Sequence, residues 1–277
     1  MIFDLHSLRA HREAQIAIDP EAREKARQKE ELEYDLIRQA DETWVTSSVE
    51  RKLLQDKCPE KSIQLVSNIV DIPGSRTPFE LRRDFLFIGG FQHTPNTDAV
   101  LFFLTKIYPK VRERLREAKF YIIGDKAPPE VVTLADENVV ITGLQRDVRP
   151  FFESVRLSVA PLRFGAGVKG KINQSMAWGV PVVATSVAVE GMELTFGEDV
   201  LVADEPEEFA RALVTLYESP ELWNRLSQNG IEKTRLLYSA EVAREKLERL
   251  FNNQHVQPAE VLSESLKQRD LAVGISA

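Results

Sequence analysis

The sequence predicts a doubly wound α/β fold built on a parallel sheet, with a smaller, partial α/β segment in front of it. Three observations carry this. Short apolar runs of strand length recur from Phe85 onward, helical patterns lie between most of them, and glycines follow the strand ends. Strands that alternate with helices pair in parallel through right-handed crossovers. Short runs that are apolar throughout fit a sheet buried on both faces. In such sheets a ligand lies off the carboxyl ends of the strands.

The composition narrows the class. A chain of 277 residues suits one large or two modest domains, and 43% hydrophobic with 29% charged residues describes a water-soluble protein with a packed core. A net charge of −7 argues against a broad nucleic-acid-binding face, so any anion site is local. The single cysteine, Cys58, excludes an internal disulfide, and His6, His11, His93 and His255 lack metal-ligand spacing. No metal site is expected. No apolar run approaches the ~20 residues of a membrane span, and Met1 leads into a strand-like segment rather than a signal peptide. A cytoplasmic protein is expected, with peripheral contact at the inner face of a membrane as the alternative.

In chain order, Ile2–Leu5 reads as a strand followed by His6. Leu8 to Ala40 is helical and densely charged, with Asp19-Pro20 marking a break between two helices. Thr43–Thr46 and Ile63–Val66 read as strands. Between them Ser47 or Ser48 caps a short helix through Leu54, with Glu50 placed to complete a capping box. Asn68 to Pro78 loses periodicity and collects Asp71, Pro73, Gly74, Ser75 and Pro78, which is linker chemistry. The expected division is a partial segment over 1–75, a sheet domain over 80–238, a closing helix over 239–253 and a tail over 254–277.

The second part is regular. Strands are expected at Phe85–Ile88, Phe120–Ile123, Val139–Thr142, Leu157–Ala160, Val182–Ala184 and Val200–Val202. Helical patterns cover Thr97–Leu115, a short turn near Pro129–Ala135, Asp147–Ser154 and Val168–Trp178. After Asp204 come helices at Pro206–Tyr217, Pro220–Leu237 and Ala240–Asn252, the last capped by Ser239. A loosely ordered tail with one helical turn near Glu260–Leu266 is expected beyond Gln254.

The most informative stretch is LSVAPLRFGAGVKGKINQSMAWGVPVVAT, Leu157 to Thr185. A strand leads into a basic loop carrying Arg163, Gly165 and Gly167, then a short helix that ends at Gly179. Lys169 and Lys171 fall in its first turn. Free amide N–H groups, the positive end of the helix dipole and two ammonium groups would converge there, which is what a phosphate requires. The alternative is an ordinary loop of an α/β sheet with exposed lysines. Gly89, Gly90, Gly124 and Gly143 follow other strands on the same rim. Gly89-Gly90 and Gly124 do not form G-x-G-x-x-G, which disfavours a dehydrogenase.

Several stretches resemble one family. "FLFIGGFQHTPNTDAVLFFLTKIYPKVR", "FYIIGDKAPPEV", "VVITGLQRDVRPFFESVRLSVAPLRFGAGVKGKINQSMAWGVPVVATSVAVEGM", "LVADEPEEFARALVTLYESPELWNRLSQNG" and "YSAEVAREKLERLF" follow one another in order. Together they resemble the carboxyl-terminal, nucleotide-sugar-binding domain of GT-B glycosyltransferases of the group 1 type, a Rossmann-like domain. The first seventy residues resemble the end of the acceptor-side domain, through Ile2–Leu5, His6 and Ala40-Asp41 to Val45-Thr46-Ser47.

The resemblance implies a donor diphosphate held by Arg163, Gly165, Gly167 and Lys171, with Lys169 nearby. It implies a base held by Gly143, Leu144 and Gln145, and a ribose held at position 174. Gly89, Gly90, Gly124 and Glu190 would complete the donor cleft. His6 would orient the donor sugar as the candidate catalytic residue, its alternative being a satisfied strand-end histidine. The family's acidic ribose residue is Gln174 here, its other glutamate is Ala166, and its basic pair is not evident beside Gln92, His93 and Asn96. These departures bear more on catalysis than on binding.

The activity implied is sugar transfer from a nucleoside diphosphate sugar to an acceptor hydroxyl, retaining and without metal or other cofactor, in polysaccharide or glycoconjugate synthesis. The acceptor would be a glycan or a lipid-linked glycan. The alternatives are a nucleotide-sugar-binding or assembly module without transfer activity and, third, a nucleotide-sugar epimerase. Because the acceptor-side domain is represented only by its end, the chain is expected to be a fragment, to self-associate, or to meet a partner through residues 1–70.

Overall fold

Eight short strands, none longer than six residues, carry the sheets of the computed structural model, which describes residues 4–253. Two of them, β1 (Glu42–Val45) and β2 (Ser62–Leu65), pair in parallel in a small separate sheet. The other six form one parallel sheet: β3 (Arg83–Ile88), β4 (Phe120–Ile123), β5 (Val139–Gly143), β6 (Val155–Ala160), β7 (Val182–Ala184) and β8 (Leu201–Val202), in the order β5-β4-β3-β6-β7-β8. This is the Rossmann order, and its direction reverses between β3 and β6. The crevice at their carboxyl ends is therefore where a ligand is sought, beside Gly89-Gly90 on one side and the Arg163 loop on the other.

The sheet is buried on both faces. Phe85, Leu86 and Phe87 of β3 are each 1% exposed or less, pointing alternately into two separate apolar clusters. Phe85 stacks on Phe120 at 5.0 Å between ring centroids, and Phe103 meets Phe120 at 4.7 Å. The small sheet has its own cluster of Leu5, Tyr34, Ile37, Val45, Leu54, Cys58 and Ile63.

Helices α1 (His6–Ala17) and α2 (Pro20–Gln39) pack as a hairpin. The break falls at Asp19-Pro20 as the residues predict: Asp19 accepts the Glu21 N–H at 2.9 Å, and Pro20 opens the helix, where a missing N–H costs nothing. The expected strand over 2–5 is not extended into the described residues. Asp4 bends and Leu5 caps α1, while residues 1–3 lie outside the description, as do the expected tail and the turn near 260–266.

Helix α3 (Ser48–Lys57) starts at its Ser47 cap, whose hydroxyl accepts the Glu50 N–H at 3.5 Å. The expected capping box is only half made. The Glu50 carboxylate turns away from the helix to two more distant amides, described below.

The helix expected over 97–115 begins three residues early. It is divided into α4 (Thr94–Phe102), a π turn (Phe103–Ile107) and α5 (Tyr108–Arg114). Pro109 is the cause: it lacks an N–H and would crowd the carbonyl four residues before it, and the wider turn relieves both. Helices α6 (Pro129–Val132), α7 (Arg149–Ser154), α8 (Gly170–Ala177), α9 (Ser186–Val189), α10 (Pro206–Glu218), α11 (Pro220–Tyr238) and α12 (Ala240–Asn253) follow. Ser239 caps α12 by accepting the Val242 N–H at 3.4 Å.

Residues 66–78 carry no regular structure, yet they are fastened down. Val70 N–H donates to Tyr238 O at 3.0 Å and Gly74 N–H to Ala177 O at 3.0 Å. Buried Arg82, 1% exposed, donates to Thr77 O, Phe152 O, Val155 O and Ser75 Oγ at 2.6–3.1 Å. Among the described residues no helix is long and apolar enough to cross a membrane.

Candidate donor-binding site

The rim at the switch point is built from backbone in close contact. Gly124 lies against Gly89: a Cβ on Gly124 would come within 2.1 Å of Gly89 O, so only glycine fits. A Cβ on Gly89 would meet Asn96 Nδ2 at 2.7 Å and Lys171 Nζ at 2.9 Å. The glycines of the β3 and β4 loops thus let the two loops and one lysine converge. Gly143 ends β5, and its carbonyl accepts the Gly124 N–H at 3.2 Å.

Lys171 comes from the first turn of α8 and points inward. Its ammonium donates to Asn96 Oδ1 and sits 4.3 Å from the Phe87 ring centroid. Asn96, 5% exposed, is held in turn by its Nδ2 donating to Gly90 O at 2.7 Å. Burial, and then the neighbouring Lys169 charge, pull the Lys171 pKa down to about 7. Lys169 is not in the first turn, as expected from sequence, but is the N-cap of a helix that starts at Gly170. It is 8% exposed, donates to Gly167 O at 2.7 Å, and has its pKa lowered to about 8, chiefly by burial.

These lysines line a cavity of about 240 Å³ with Asp4, His93, Asn96, Leu162, Gly165, Ala166 and the start of α8. Burial, and then the Arg9 guanidinium, lower the His93 pKa, so the ring is neutral near pH 7. Among the described residues neither lysine forms an ion pair within salt-bridge distance, and the helix they open has no side-chain cap.

The other sequence-predicted residues are distributed around this cavity. Arg163 is drawn to α4, where it forms a two-pronged pair with Asp98, Nε to Oδ2 at 3.0 Å, and lies 5.1 Å from the Phe102 ring centroid. Gly165 O accepts from Arg12 Nη1 at 2.7 Å, and the same guanidinium grips Glu190 at 2.6 and 2.9 Å. Gly167 gives its N–H to Glu50 at 2.8 Å. Gln174 lines a second, larger groove of about 900 Å³, together with Gly170, Val148, Arg149, Trp178 and the fastened segment from Val70 to Arg76. Gly170 borders both spaces. Gln145 donates from Nε2 to Thr142 O at 2.8 Å, and Leu144 is exposed. His6 has a side chain 59% exposed and rests 3.3 Å from Asp4 Oδ1; Asp4, not His6, lines the cavity.

Sequence reasoning missed Asp4, Arg12, Asp98 and the reach of Glu50, and singled out His93 and Asn96 only as neighbours of an absent basic pair. No local spacing announces the first four: Arg12, Asp98 and Glu50 bond residues more than forty positions away, and Asp4 pairs locally with Arg9 but lines the cavity with residues from His93 onward.

Residues 82–219 match the family Glycosyl transferases group 1. This part of the chain belongs to that family. An uncharacterized 44.6 kDa protein in the cps region of Klebsiella pneumoniae is 25% identical over 185 residues, which cover 61% of this chain and 48% of that one. The fold is that of GT-B glycosyltransferases. The crystal structure of TarM superposes with a TM-score of 0.70 at 18% identity, over 81% of this chain and 46% of that one. Sucrose-phosphate synthase from Thermosynechococcus elongatus gives 0.68 at 14%, over 89% and 66%. HepE from Anabaena, crystallised with UDP and glucose, gives 0.67 at 13%, over 82% and 67%. The chain spans about half the length of the Klebsiella protein and of TarM.

Proposed function

We propose that this chain is the donor-side part of a retaining, metal-independent glycosyltransferase. It moves a sugar from a nucleoside diphosphate sugar to an acceptor hydroxyl, in the synthesis of a polysaccharide or another glycoconjugate. The carrying observation is the convergence of Lys169 and Lys171 on one cavity at the start of α8, at the switch point of a parallel sheet. The neighbours crystallised with UDP and the relative from a cps region support the nucleotide and the polysaccharide respectively.

The chemistry follows from charge. As the bond between the sugar's anomeric carbon and the β-phosphate oxygen breaks, negative charge grows on the departing diphosphate. Lys171 and Lys169, already desolvated, gain more from that charge than exposed lysines would, which stabilises the transition state over the ground state. The nucleoside runs past Gly170 into the groove of Gln174, whose amide bonds a ribose hydroxyl more weakly than a carboxylate would. The acceptor enters from the side of Asp4 and α1.

A second reading is a nucleotide-sugar-binding module without transfer. It is favoured by Ala166 and Gln174 at positions where the family has acids, and by His6 lying outside the cavity lining. Thermal-shift measurements with UDP, GDP and their sugars, followed by assays of sugar transfer and donor hydrolysis, separate the two. A ligand at a hundred times its Kd adds about 2.7 kcal/mol of stability. Binding with turnover supports the transferase, binding without it the module, and no response to any nucleotide removes both.

A further inference from the structure

Glu50 is a charged side chain in an unusual place. It is 1% exposed, and one of its oxygens, Oε1, accepts two backbone amides from opposite sides of the cleft. Leu5 N–H donates to it at 2.9 Å from the segment that carries Asp4 and His6. Gly167 N–H donates to the same oxygen at 2.8 Å from the glycine loop before α8. The second oxygen, Oε2, is buried without a hydrogen-bond partner. Burial raises the Glu50 pKa, and the two amide bonds oppose that rise. A carboxylate kept in such surroundings is costly, and a capping role alone would leave it at the helix surface.

Glu50 is one of several groups that hold this loop, and it is the one that takes the Gly167 N–H. Gly167 sits at φ +66°, a left-handed conformation that glycine adopts without strain and that turns its N–H towards Glu50. Gly167 is held at both its backbone groups, by Glu50 at the N–H and by Lys169 at the carbonyl, 2.7 Å away. Two further contacts surround the clamp. Arg12 reaches Gly165 O and Glu190, and a Cβ on Gly191 would lie 2.1 Å from Ser47 Oγ, at the cap of the Glu50 helix.

We infer that Glu50 is a positioning residue that latches the glycine loop of the donor site to the acceptor-side segment, fixing the width of the cleft. Through Gly167 it sets where the Lys169 ammonium stands, and through Leu5 it holds Asp4 over the cavity. The Gly167 N–H is thereby a structural donor and not a phosphate ligand; the diphosphate is left to Lys169, Lys171 and the first amides of α8. This inference rests on the donor-site reading for its consequence on binding, but the latch itself does not depend on it.

The test separates reach from charge. Glu50→Gln keeps the length and an acceptor oxygen while removing the charge; Glu50→Asp keeps the charge and shortens the reach. Amide hydrogen exchange is measured by NMR without ligand, and affinity for UDP-glucose by calorimetry. The latch predicts that Glu50→Asp speeds exchange at both Leu5 and Gly167 while protection in β3 to β7 stays unchanged, and weakens UDP-glucose by about tenfold or more. Glu50→Gln is expected to keep protection and affinity close to the parent chain. Equal damage by both variants overturns the inference, since reach would then not be what distinguishes them, and damage by Glu50→Gln alone overturns it too, since charge and not reach would then matter. So does unchanged Gly167 exchange in Glu50→Asp, or a loss of protection spread evenly over the whole sheet. If the parent chain binds no nucleotide sugar, the functional reading fails, while the exchange data still decide the latch.

Discussion

Binding of a diphosphate to this site should take up protons, and the extent can be worked from the two lysines. In the ligand-free protein Lys171 has a pKa of about 7 and Lys169 of about 8, both lowered first by burial. A bound diphosphate favours the charged forms and raises both values. If only the charged forms bind, raising the pH from about 6 to about 8 weakens binding about tenfold through Lys171 and about twofold through Lys169, or about twentyfold together. A nucleoside diphosphate sugar is the right ligand, because its phosphates are both esterified and do not titrate in this window. Free folding stability runs the other way. Both lysines bind protons more readily in the unfolded chain, so their contribution to ligand-free stability grows as pH rises from about 7 towards about 10. Calorimetry across this range, repeated in two buffers of different ionisation enthalpy, reads the affinity and the proton uptake separately. A Kd that is flat or tightens with pH, with no buffer-dependent heat, would show that these lysines do not take up protons on binding.

Other consequences follow from single residues. Arg82→Ala removes a buried guanidinium that satisfies several carbonyls and stacks 5.1 Å from the Trp223 ring centroid; it should cost roughly 3 kcal/mol or more, read as a lower urea midpoint at unchanged slope. Gln174→Glu should tighten UDP several-fold by offering the ribose a charged acceptor, while leaving inorganic pyrophosphate, which has no ribose, unaffected. Addition of EDTA should leave UDP-glucose affinity unchanged if the lysines alone offset the diphosphate charge; a loss would contradict the metal-independent reading.

The sheet domain was largely legible in the residues. Its strands are short and apolar throughout, and burial on both faces leaves little else for such runs to do, so β4 and β7 fall where they were expected. The break at Asp19-Pro20 was equally plain, because capping chemistry is local. The site was legible only where it is local too. The Arg163 to Lys171 loop announced itself through glycines and lysines in one stretch. What was hidden depends on partners far along the chain. Asp98 claims the Arg163 guanidinium from sixty-five positions away, and Glu50 reaches Gly167 across one hundred and seventeen. Ser47-x-x-Glu50 reads as a capping box in either case, and nothing in four residues reveals that its carboxylate is needed elsewhere. The π turn before Pro109 was obscured for a related reason: apolar spacing continues through it, while the missing N–H acts only once the helix is built.

In the proposed function half-buried Lys171, held by Asn96 at the start of α8, binds the diphosphate of a nucleotide sugar. Calorimetric titration of the parent chain and of Lys171→Ala with UDP- and GDP-sugars tests it most directly. The parent chain is expected to bind at least one of these donors one-to-one and Lys171→Ala to lose that binding, with the thermal unfolding of the ligand-free variant little changed or raised. Equal affinity of the two proteins for that donor, or binding of none by the parent chain, would contradict it.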